Sequence, residues 1–167
     1  MKTMFTVVVI LGLLVPACAG GGAGSSAKGA VHVQGGTNIE GYGFALDASY
    51  DPRLDQLIPG YRIVNVALIN NSFNILFLNP EKDRWSIRAG KGRRHDAIID
   101  LRRADPEVWA TLPERVQKLM AYPLAVPIGA RLVLDLIVHG EAPLEQLTEV
   151  SGTIDSLRQT FVVSVRE

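Results

Sequence analysis

Apolar runs with the alternation typical of β-strands, separated by turn residues, dominate the chain after residue 38. The clearest run is Tyr61–Asn70, where β-branched residues prevail and both faces of an extended chain carry apolar groups. Pro59-Gly60 precedes this run and Asn70-Asn71-Ser72 ends it, so the pattern favours a central strand over a buried helix. Further strands are predicted over the ranges 42–50, 73–78, 84–88, Arg131–His139, 148–154 and 160–166. About seven short strands separated by turn signals predict a mainly β protein, a β-sandwich.

Residues 96–122 interrupt the strand pattern with helix-start signals. Asp105-Pro106-Glu107 supplies an N-cap residue, a proline at the first helical position and an acid in the first turn. Thr111 and Glu114 match the capping box of a second helix. We therefore expect a short two-helix insertion that protects an edge or open end of the sandwich, or alternatively binds a partner. Its predicted buried face consists of Trp109, Leu112, Val116, Leu119 and Met120.

The alternating strands and a closing hairpin at Leu157-Arg158-Gln159 resemble the immunoglobulin-type sandwiches of exported bacterial proteins. The resemblance implies an immunoglobulin-like β-sandwich over residues 38–167, with the helical insertion at 96–122. It is a resemblance of architecture and implies no activity.

The first 17 residues have the three regions of a secretory signal. Lys2 supplies the positive charge, residues 5–15 form an apolar run, and Pro16-Ala17 ends the segment. The eleven-residue run reaches only ~16 Å as a helix, too short for a hydrocarbon core of ~30 Å. We expect residues 1–17 to be a cleaved signal peptide.

Cys18, the single cysteine of the chain, follows this segment directly, in Leu14-Val15-Pro16-Ala17-Cys18. This stretch resembles the lipobox of bacterial lipoproteins. The resemblance implies that Cys18 becomes the first residue of the mature protein and carries a diacylglyceryl group, with further acylation of its amino group. The alternative is an ordinary signal cut after Ala17 or Ala19, with Cys18 incidental.

The expected consequence of lipid attachment is firm binding to a membrane. Residues 18–37 contain many glycines and few groups to bury, so they predict a lipidated flexible tether. Pairing of Val31-His32-Val33 with a sheet edge is the alternative for that part. The uncharged Ala19 resembles the default outer-membrane sorting signal of Gram-negative lipoproteins. The expected location is the cell envelope, at the periplasmic face of the outer membrane or the cell surface in a Gram-negative host.

The charge balance argues against nucleic acid as a partner. The whole chain has 17 basic and 17 acidic residues, and removal of Lys2 with the signal leaves 16 against 17, a formal charge of −1. Nucleic-acid binders of this size are usually strongly basic.

No known catalytic or metal-binding motif is present. His32, His95 and His139 share no ligand spacing, and no second cysteine completes a zinc site. We predict no catalytic residue, cofactor or metal, and no reaction can be assigned from these residues. The least implausible catalytic or small-ligand group, if separate loops converge, is Arg94, His95, Asp96 and Asp100.

The most conspicuous charged stretch is 81–103, with a formal charge of +4 from eight basic and four acidic residues. Within it, residues 90–95 are predicted to form an exposed basic loop. The candidate contacts to an anionic polymer, a lipid headgroup or a partner protein are Arg88, Lys91, Arg93, Arg94 and His95. A merely solvated loop is the alternative.

Three functions remain open on the sequence alone. The first is a lipid-anchored envelope protein acting as a non-catalytic binding or structural module, whose partner is an envelope protein or an anionic polymer. The second is a subunit of an envelope secretion or surface-appendage assembly, which requires an exposed apolar patch. The third is a small-ligand binding protein or hydrolase with a site built from separate loops.

Overall fold

The computed structural model describes residues 31–33 and 43–164. The predicted signal peptide, Cys18, the tether apart from residues 31–33, and the ends of the predicted strands at Tyr42 and at 165–166 lie outside the described residues.

The described chain is mainly β. Its strands are β1 (Val31–Val33), β2 (Phe44–Tyr50), β3 (Tyr61–Asn70), β4 (Leu76–Phe77), β5 (Arg84–Ala89), β6 (Arg93–Ala97), β7 (Ala125–Val126), β8 (Arg131–His139), β9 (Leu147–Ile154) and β10 (Gln159–Ser164). Three helices, α1 (Leu101–Ala104), α2 (Pro106–Thr111) and α3 (Glu114–Leu119), lie between β6 and β7. Short 3-10 helices occur at Pro52–Gln56, Leu144–Gln146 and Asp155–Leu157. No helix within the described residues is long and apolar enough to cross a membrane.

Two four-stranded antiparallel sheets contribute to one hydrophobic core. The first sheet has the strand order β1-β2-β3-β8 and the second has the order β10-β9-β5-β6, while β4 and β7 form a separate two-stranded sheet. Because side chains alternate in direction along a strand, every second residue of β2, β3 and β8 points into the core. Just after β6, Ile98 exchanges two backbone hydrogen bonds with Ile137 of β8, which joins the sheets along one side.

Close packing in this core is clearest at Trp85 of β5. The Trp85 side chain is buried and lies over Gly152, its direct cross-strand partner on β9. A Cβ atom added to Gly152 would lie 2.4 Å from the Trp85 ring, so any larger residue would displace the indole. The Trp85 indole NH donates to the Tyr122 hydroxyl at 3.1 Å. Trp85 is therefore a core residue of β5.

A second hydrophobic cluster lies on the outer face of the first sheet. It joins Ile63 of β3 and Ile137 of β8 to Leu112 and Met120 from the helical insertion. The insertion predicted over 96–122 therefore does two things: Ile98 pairs with the edge strand β8, and the helices cover part of the sheet face, which was not predicted. Of the predicted buried face, Leu112 and Met120 are buried and Trp109 and Val116 are partly buried and pack on this cluster, whereas Leu119 is exposed.

The helix-start predictions had different outcomes. Asp105 caps α2 as predicted, since its side chain accepts from the Val108 backbone NH at 3.0 Å. The capping box is wrong: Thr111 is the last residue of α2 and donates to the Val108 carbonyl, and Pro113 stands at the N-cap of α3. A residue before proline is disfavoured in the helical region, so Leu112 is extended and α2 ends at Thr111. The insertion also has three helices rather than two.

One strand prediction and one loop prediction also require correction. Over 73–78, only Leu76–Phe77 forms a strand. Of the predicted loop 90–95, residues 93–95 belong to β6 (Arg93–Ala97). The loop is therefore restricted to the hairpin turn at residues 90–92. Near the start of the described chain, Val31–Val33 pairs with β2 as β1, so the sheet-edge alternative is the one observed for these residues.

Candidate functional site

The outer face of the first sheet carries a polar pair between the outer hydrophobic cluster and a polar part of the same face that contains Asp47, Ser49 and Arg131. Asn65 of β3 and Asp135 of β8 are direct cross-strand partners, and both point away from the main core. The Asn65 side-chain amide donates to Asp135 Oδ1 at 2.5 Å. Ile63 precedes Asn65 on the same face and belongs to the outer hydrophobic cluster. A carboxyl group therefore lies beside an apolar surface.

A groove opens above this pair, and we call it the sheet-face groove. Its walls are α3 on one side and the chain around the 3-10 helix Pro52–Gln56 on the other, and its volume is about 560 Å³. The lining residues are Leu54, Leu57, Ile63, Asn65, Pro113, Arg115, Val116, Leu119, Met120 and Asp135. Apolar side chains supply most of this lining, and Asp135 is its one carboxyl group. Such a pocket, with few polar groups among apolar walls, is typical of binding sites.

The electrostatic state of Asp135 follows from its position. Burial raises the pKa of the Asp135 carboxyl, and the hydrogen bond from Asn65 opposes this rise in part. Within the described residues, Asn65 is the sole hydrogen-bond partner of Asp135, and no ion pair involves this carboxyl. Removing a carboxylate from water without a cationic partner costs free energy, so Asp135 would gain from a positively charged hydrogen-bond donor in the groove.

A second feature is the apolar end patch, located where β3 ends and β8 begins. It combines five exposed residues: Phe73, Ile75, Phe77, Leu124 and Ile128. The β4–β7 pairing and a hydrogen bond from the Leu78 backbone NH to the Leu124 carbonyl bring the two contributing segments together. Phe73 is 94% exposed. Large exposed apolar groups gathered in one place mark interaction surfaces.

The buried Asn70 side chain forms four hydrogen bonds at this end of the molecule. Its amide donates to the Asn74 carbonyl at 2.8 Å and to the Val126 carbonyl at 2.9 Å. Its oxygen accepts from the Ser72 backbone NH at 3.0 Å and from the Ser72 hydroxyl at 2.7 Å. These bonds hold the backbone on either side of Phe73, so the exposed ring stands on a connection with defined hydrogen bonding.

A separate polar cluster, centred on Arg62, lies at the opposite end of β3. The guanidinium contacts Asp55, Glu145 and the Tyr50 hydroxyl and donates to the Ala142 carbonyl at 2.7 Å. Hydrogen bonding to Arg62 lowers the pKa of Glu145, whereas burial raises the pKa of Tyr50 well above its ordinary value. Tyr50 therefore stays protonated near neutral pH, and the cluster joins several loops by hydrogen bonds.

The predicted anion-contact residues occupy one hairpin but do not all share a surface. Arg88 and Arg94 are cross-strand partners, with Lys91 at the turn and Arg93 beside it. These four side chains are exposed. His95 alternates to the other face of β6, is partly buried, and its Nε2 has no hydrogen-bond partner within the described residues. By the same alternation Arg93 shares the His95 face of β6, whereas Arg88 and Arg94 share the opposite face. The predicted residues are therefore divided between the two faces of the hairpin and its turn.

The predicted catalytic group does not converge on a pocket. Arg94 and Asp96 are exposed and lie 3.8 Å apart, whereas His95 points to the other face of β6. Asp100 caps α1 by accepting from the Arg103 backbone NH. Within residues 31–33 and 43–164, no group of three or more His, Cys, Asp or Glu side chains could hold a metal ion.

The sheet-face groove is not apparent from the sequence, although one signal of it is present. Asp135 is the single acidic residue inside the apolar run of β8, and Asn65 interrupts the apolar run of β3. Each is unremarkable alone, and only the strand register makes them partners.

Comparisons with protein families, with curated proteins and with solved structures find no match for this chain.

Proposed function

We propose that this protein is a lipid-anchored envelope protein whose folded body is a non-catalytic binding module. The anchor is the Cys18 lipid implied by the lipobox-like segment, and the binding site is the sheet-face groove. The observation that carries the binding role is a carboxyl group without a cationic partner among the described residues, at the floor of an apolar groove of about 560 Å³. This site calls for a ligand that is apolar and carries a positive hydrogen-bond donor.

The proposed fold of the body is an immunoglobulin-like sandwich, and the strand order supports it. If β2, β3, β5, β6, β8, β9 and β10 are taken as A, B, C, C′, E, F and G, the sheets have the orders A-B-E and G-F-C-C′. Immunoglobulin domains have this arrangement, with a buried tryptophan on strand C. Trp85 occupies the corresponding strand, β5. This assignment uses seven strands, of which β6 was not predicted, and leaves β1, β4 and β7 as additions.

The occupant that fits the groove is an alkylammonium group, such as a lysine side chain of a partner protein. The apolar stem of lysine packs well on apolar surface while its ammonium reaches a polar group. In the groove, the stem would contact Ile63 and Met120 and the ammonium would bind Asp135. The exposed Arg115 also lines the groove, and its positive charge disfavours an occupant with several basic groups.

The binding role is tested with n-hexylammonium, hexanol and hexanoate as probes, using the NMR signals of the Asn65 side-chain amide. We expect n-hexylammonium to bind more tightly than hexanol, and hexanoate to bind least. Asp135→Asn should remove the advantage of the ammonium while retaining hexanol binding. Asp47→Asn is the matched control, because Asp47 lies on the same sheet face outside the groove. Equal binding of the three probes, or no shift at Asn65, would refute the proposal.

The anchor is tested separately by mass measurement of the mature N-terminus. The expected species begins at Cys18 and carries the mass of its acyl chains. Cys18→Ser should abolish this modification and shift the protein from the membrane to the soluble fraction. Unchanged processing and fractionation of the variant would remove the anchor from the proposal without affecting the groove.

The apolar end patch favours a second candidate function, a subunit of an envelope assembly. Phe73 and Phe77 would be buried against a neighbouring subunit, as aromatic anchors commonly are at interfaces. In mild detergent extracts, we expect the wild-type protein to migrate as part of a larger complex. Phe73→Ser combined with Phe77→Ser should reduce it to the monomer, whereas Val133→Ser, at an exposed apolar residue outside the patch, should not. A wild-type protein that migrates as a monomer would argue against this function.

A further inference from the structure

The turn between β5 and β6 presents a lysine at the tip of a projecting hairpin. Gly90, Lys91 and Gly92 have positive φ angles of 47°, 54° and 73°. Glycine adopts this left-handed region easily, but lysine does so at a cost in free energy. The Arg93 backbone NH donates to the Gly90 carbonyl at 3.2 Å and closes the turn. Lys91 is therefore held outward at the extreme end of the sheet.

The hairpin has unbalanced positive charge. Arg88 forms an ion pair with Glu149 at 3.0 Å, and Arg94 lies 3.8 Å from Asp96. Among the described residues, no ion pair involves Lys91 or Arg93. From Arg88 to Asp96 there are four basic residues and one acidic residue, a formal charge of +3, or +2 when Glu149 is included.

The chain enters the body at this same end. Val31 of β1 is the partner of Tyr50, which forms a side-chain hydrogen bond with Glu145. The neighbouring Gln146 accepts a hydrogen bond through its carbonyl from the Gly90 backbone NH at 3.2 Å. The first described residue and the hairpin tip are therefore both adjacent to one short helix, Leu144–Gln146.

The number of residues between Cys18 and Val31 limits how far the body can be from an anchored lipid. Thirteen residue steps span at most about 45 Å when fully extended. The neighbouring loops at this end carry four acidic and two basic residues, a formal charge of −2, so the positive charge is local to the hairpin. Asp51 is in an ion pair with Arg53, and Asp55 and Glu145 both pair with Arg62. Only Glu141 among the acidic residues of these loops lacks an ion pair in the described part of the chain.

We propose that the hairpin tip, through Lys91 and Arg93 with Arg94 beside them, contacts the phosphate groups of anionic phospholipids in the membrane that carries the Cys18 anchor. This inference rests on the proposed lipid anchor. Basic residues near an anionic surface are attracted within about a Debye length, and the tether is short enough that the hairpin repeatedly comes into that range. β3 runs from this end, so its ten residues place the apolar end patch about 30 Å farther from the membrane.

The contact is tested by acetylation of Lys91 in the full-length lipidated protein, reconstituted in vesicles. The vesicles contain phosphatidylcholine alone or an equal mixture with phosphatidylglycerol. We expect Lys91 acetylation to slow about fivefold in the anionic vesicles, the order of factor that one basic residue gains near such a surface. Lys118 on α3, which is also exposed, is the internal control and should react equally in both. Equal acetylation of Lys91 in the two vesicle types would overturn the proposal.

A second measurement separates the hairpin from the anchor. The full chain with Cys18→Ser should co-sediment weakly with the anionic vesicles and dissociate at high salt. Adding Lys91→Gly and Arg93→Gln should abolish co-sedimentation, whereas Arg102→Gln and Lys118→Gln should not. The turn retains its geometry with glycine at position 91. Co-sedimentation that persists after the hairpin changes would refute the contact, and protection of Lys91 by inorganic phosphate alone would reassign it to a free phosphate.

Discussion

The two faces of the first sheet differ both in their side chains, apolar inside and mixed outside, and in how they are covered. The inner face of β2, β3 and β8 packs against the second sheet, and its apolar side chains are almost completely buried. The outer face is covered over part of its area by the helical insertion, and the sheet-face groove remains beside α3. Alternation along a strand supplies apolar groups to both faces, but a closed core leaves no room for a ligand. The partly covered face is therefore where binding can occur.

The largest effect should come from truncation of the closed core. Phe161 of β10 is buried among residues of both sheets. Phe161→Ala should lower the free energy of unfolding by about 3–5 kcal/mol, because it removes apolar contacts and leaves a cavity that rigid sheets cannot fill. Urea unfolding followed by tryptophan fluorescence measures the loss. A loss under about 2 kcal/mol would mean that the two sheets are not tightly packed.

A smaller effect is expected on the outer face. Met120 is buried in the outer cluster but also lines the groove. Met120→Ala should lower the free energy of unfolding by about 2 kcal/mol, the low end for such truncations, because the groove already provides open space and helices adapt to it. The same urea measurement applies. A loss equal to that of Phe161→Ala would contradict the difference between the two faces.

Substitution of Asp135, at the floor of the groove, should raise the free energy of unfolding instead of lowering it. Since burial raises the pKa of Asp135, its ionised form is disfavoured in the folded protein. Asp135→Asn should therefore raise the free energy of unfolding at neutral pH by an amount smaller than the loss from Met120→Ala. The gain should decrease as the pH falls through the raised pKa and disappear once the wild-type carboxyl is protonated in both states. Thermal unfolding from pH 3 to pH 8 measures it, with Asp47→Asn as control. Destabilisation at neutral pH would show that Asp135 serves the fold rather than a ligand.

The smallest effect on the free energy of unfolding is expected at the Arg62 cluster, at the end of β3 opposite the apolar end patch. Arg62 lowers the pKa of Glu145 below its ordinary value of 4.5, so the ion pair stabilises the fold above that value. Glu145→Gln should cost less than about 1 kcal/mol at neutral pH, because Glu145 is half-exposed. The cost should vanish as the pH falls through the lowered pKa, where the wild-type carboxyl is protonated. A cost that is constant with pH would mean that packing, and not the charge of Glu145, matters.

Much of the strand pattern was predictable because long apolar runs bounded by turn residues have few alternatives. Tyr61–Asn70 and Arg131–His139 are strands over the predicted ranges. β6 was missed because its residues, Arg-Arg-His-Asp-Ala, show no apolar alternation. An edge strand needs none, since charges at a sheet edge prevent pairing with other chains. The stretch 73–78 has strand-like residues, but the hydrogen bonds of Asn70 hold its first part in a turn.

The candidate site was less predictable than the fold. The basic residues of the hairpin are close in sequence, so their grouping was visible. The alternation that puts Arg93 and His95 on one face and Arg94 on the other required β6 to be identified. Asp135 and Asn65 are 70 residues apart, and their pairing depends on the register of β3 against β8. A one-residue change of that register would turn the groove floor into core.

The sequence by itself determined the principal strands, the cap of α2 and the expectation of a lipid-bearing Cys18, because each depends on residues that are close along the chain. The tertiary structure alone decided which sheet face the helices cover, that Asp135 lies at the floor of an apolar groove, and that Phe73 and Lys91 stand at opposite ends. These features depend on packing between distant segments. Local residue preferences set the state of each segment, whereas the position of one segment against another follows from the burial that the whole chain achieves.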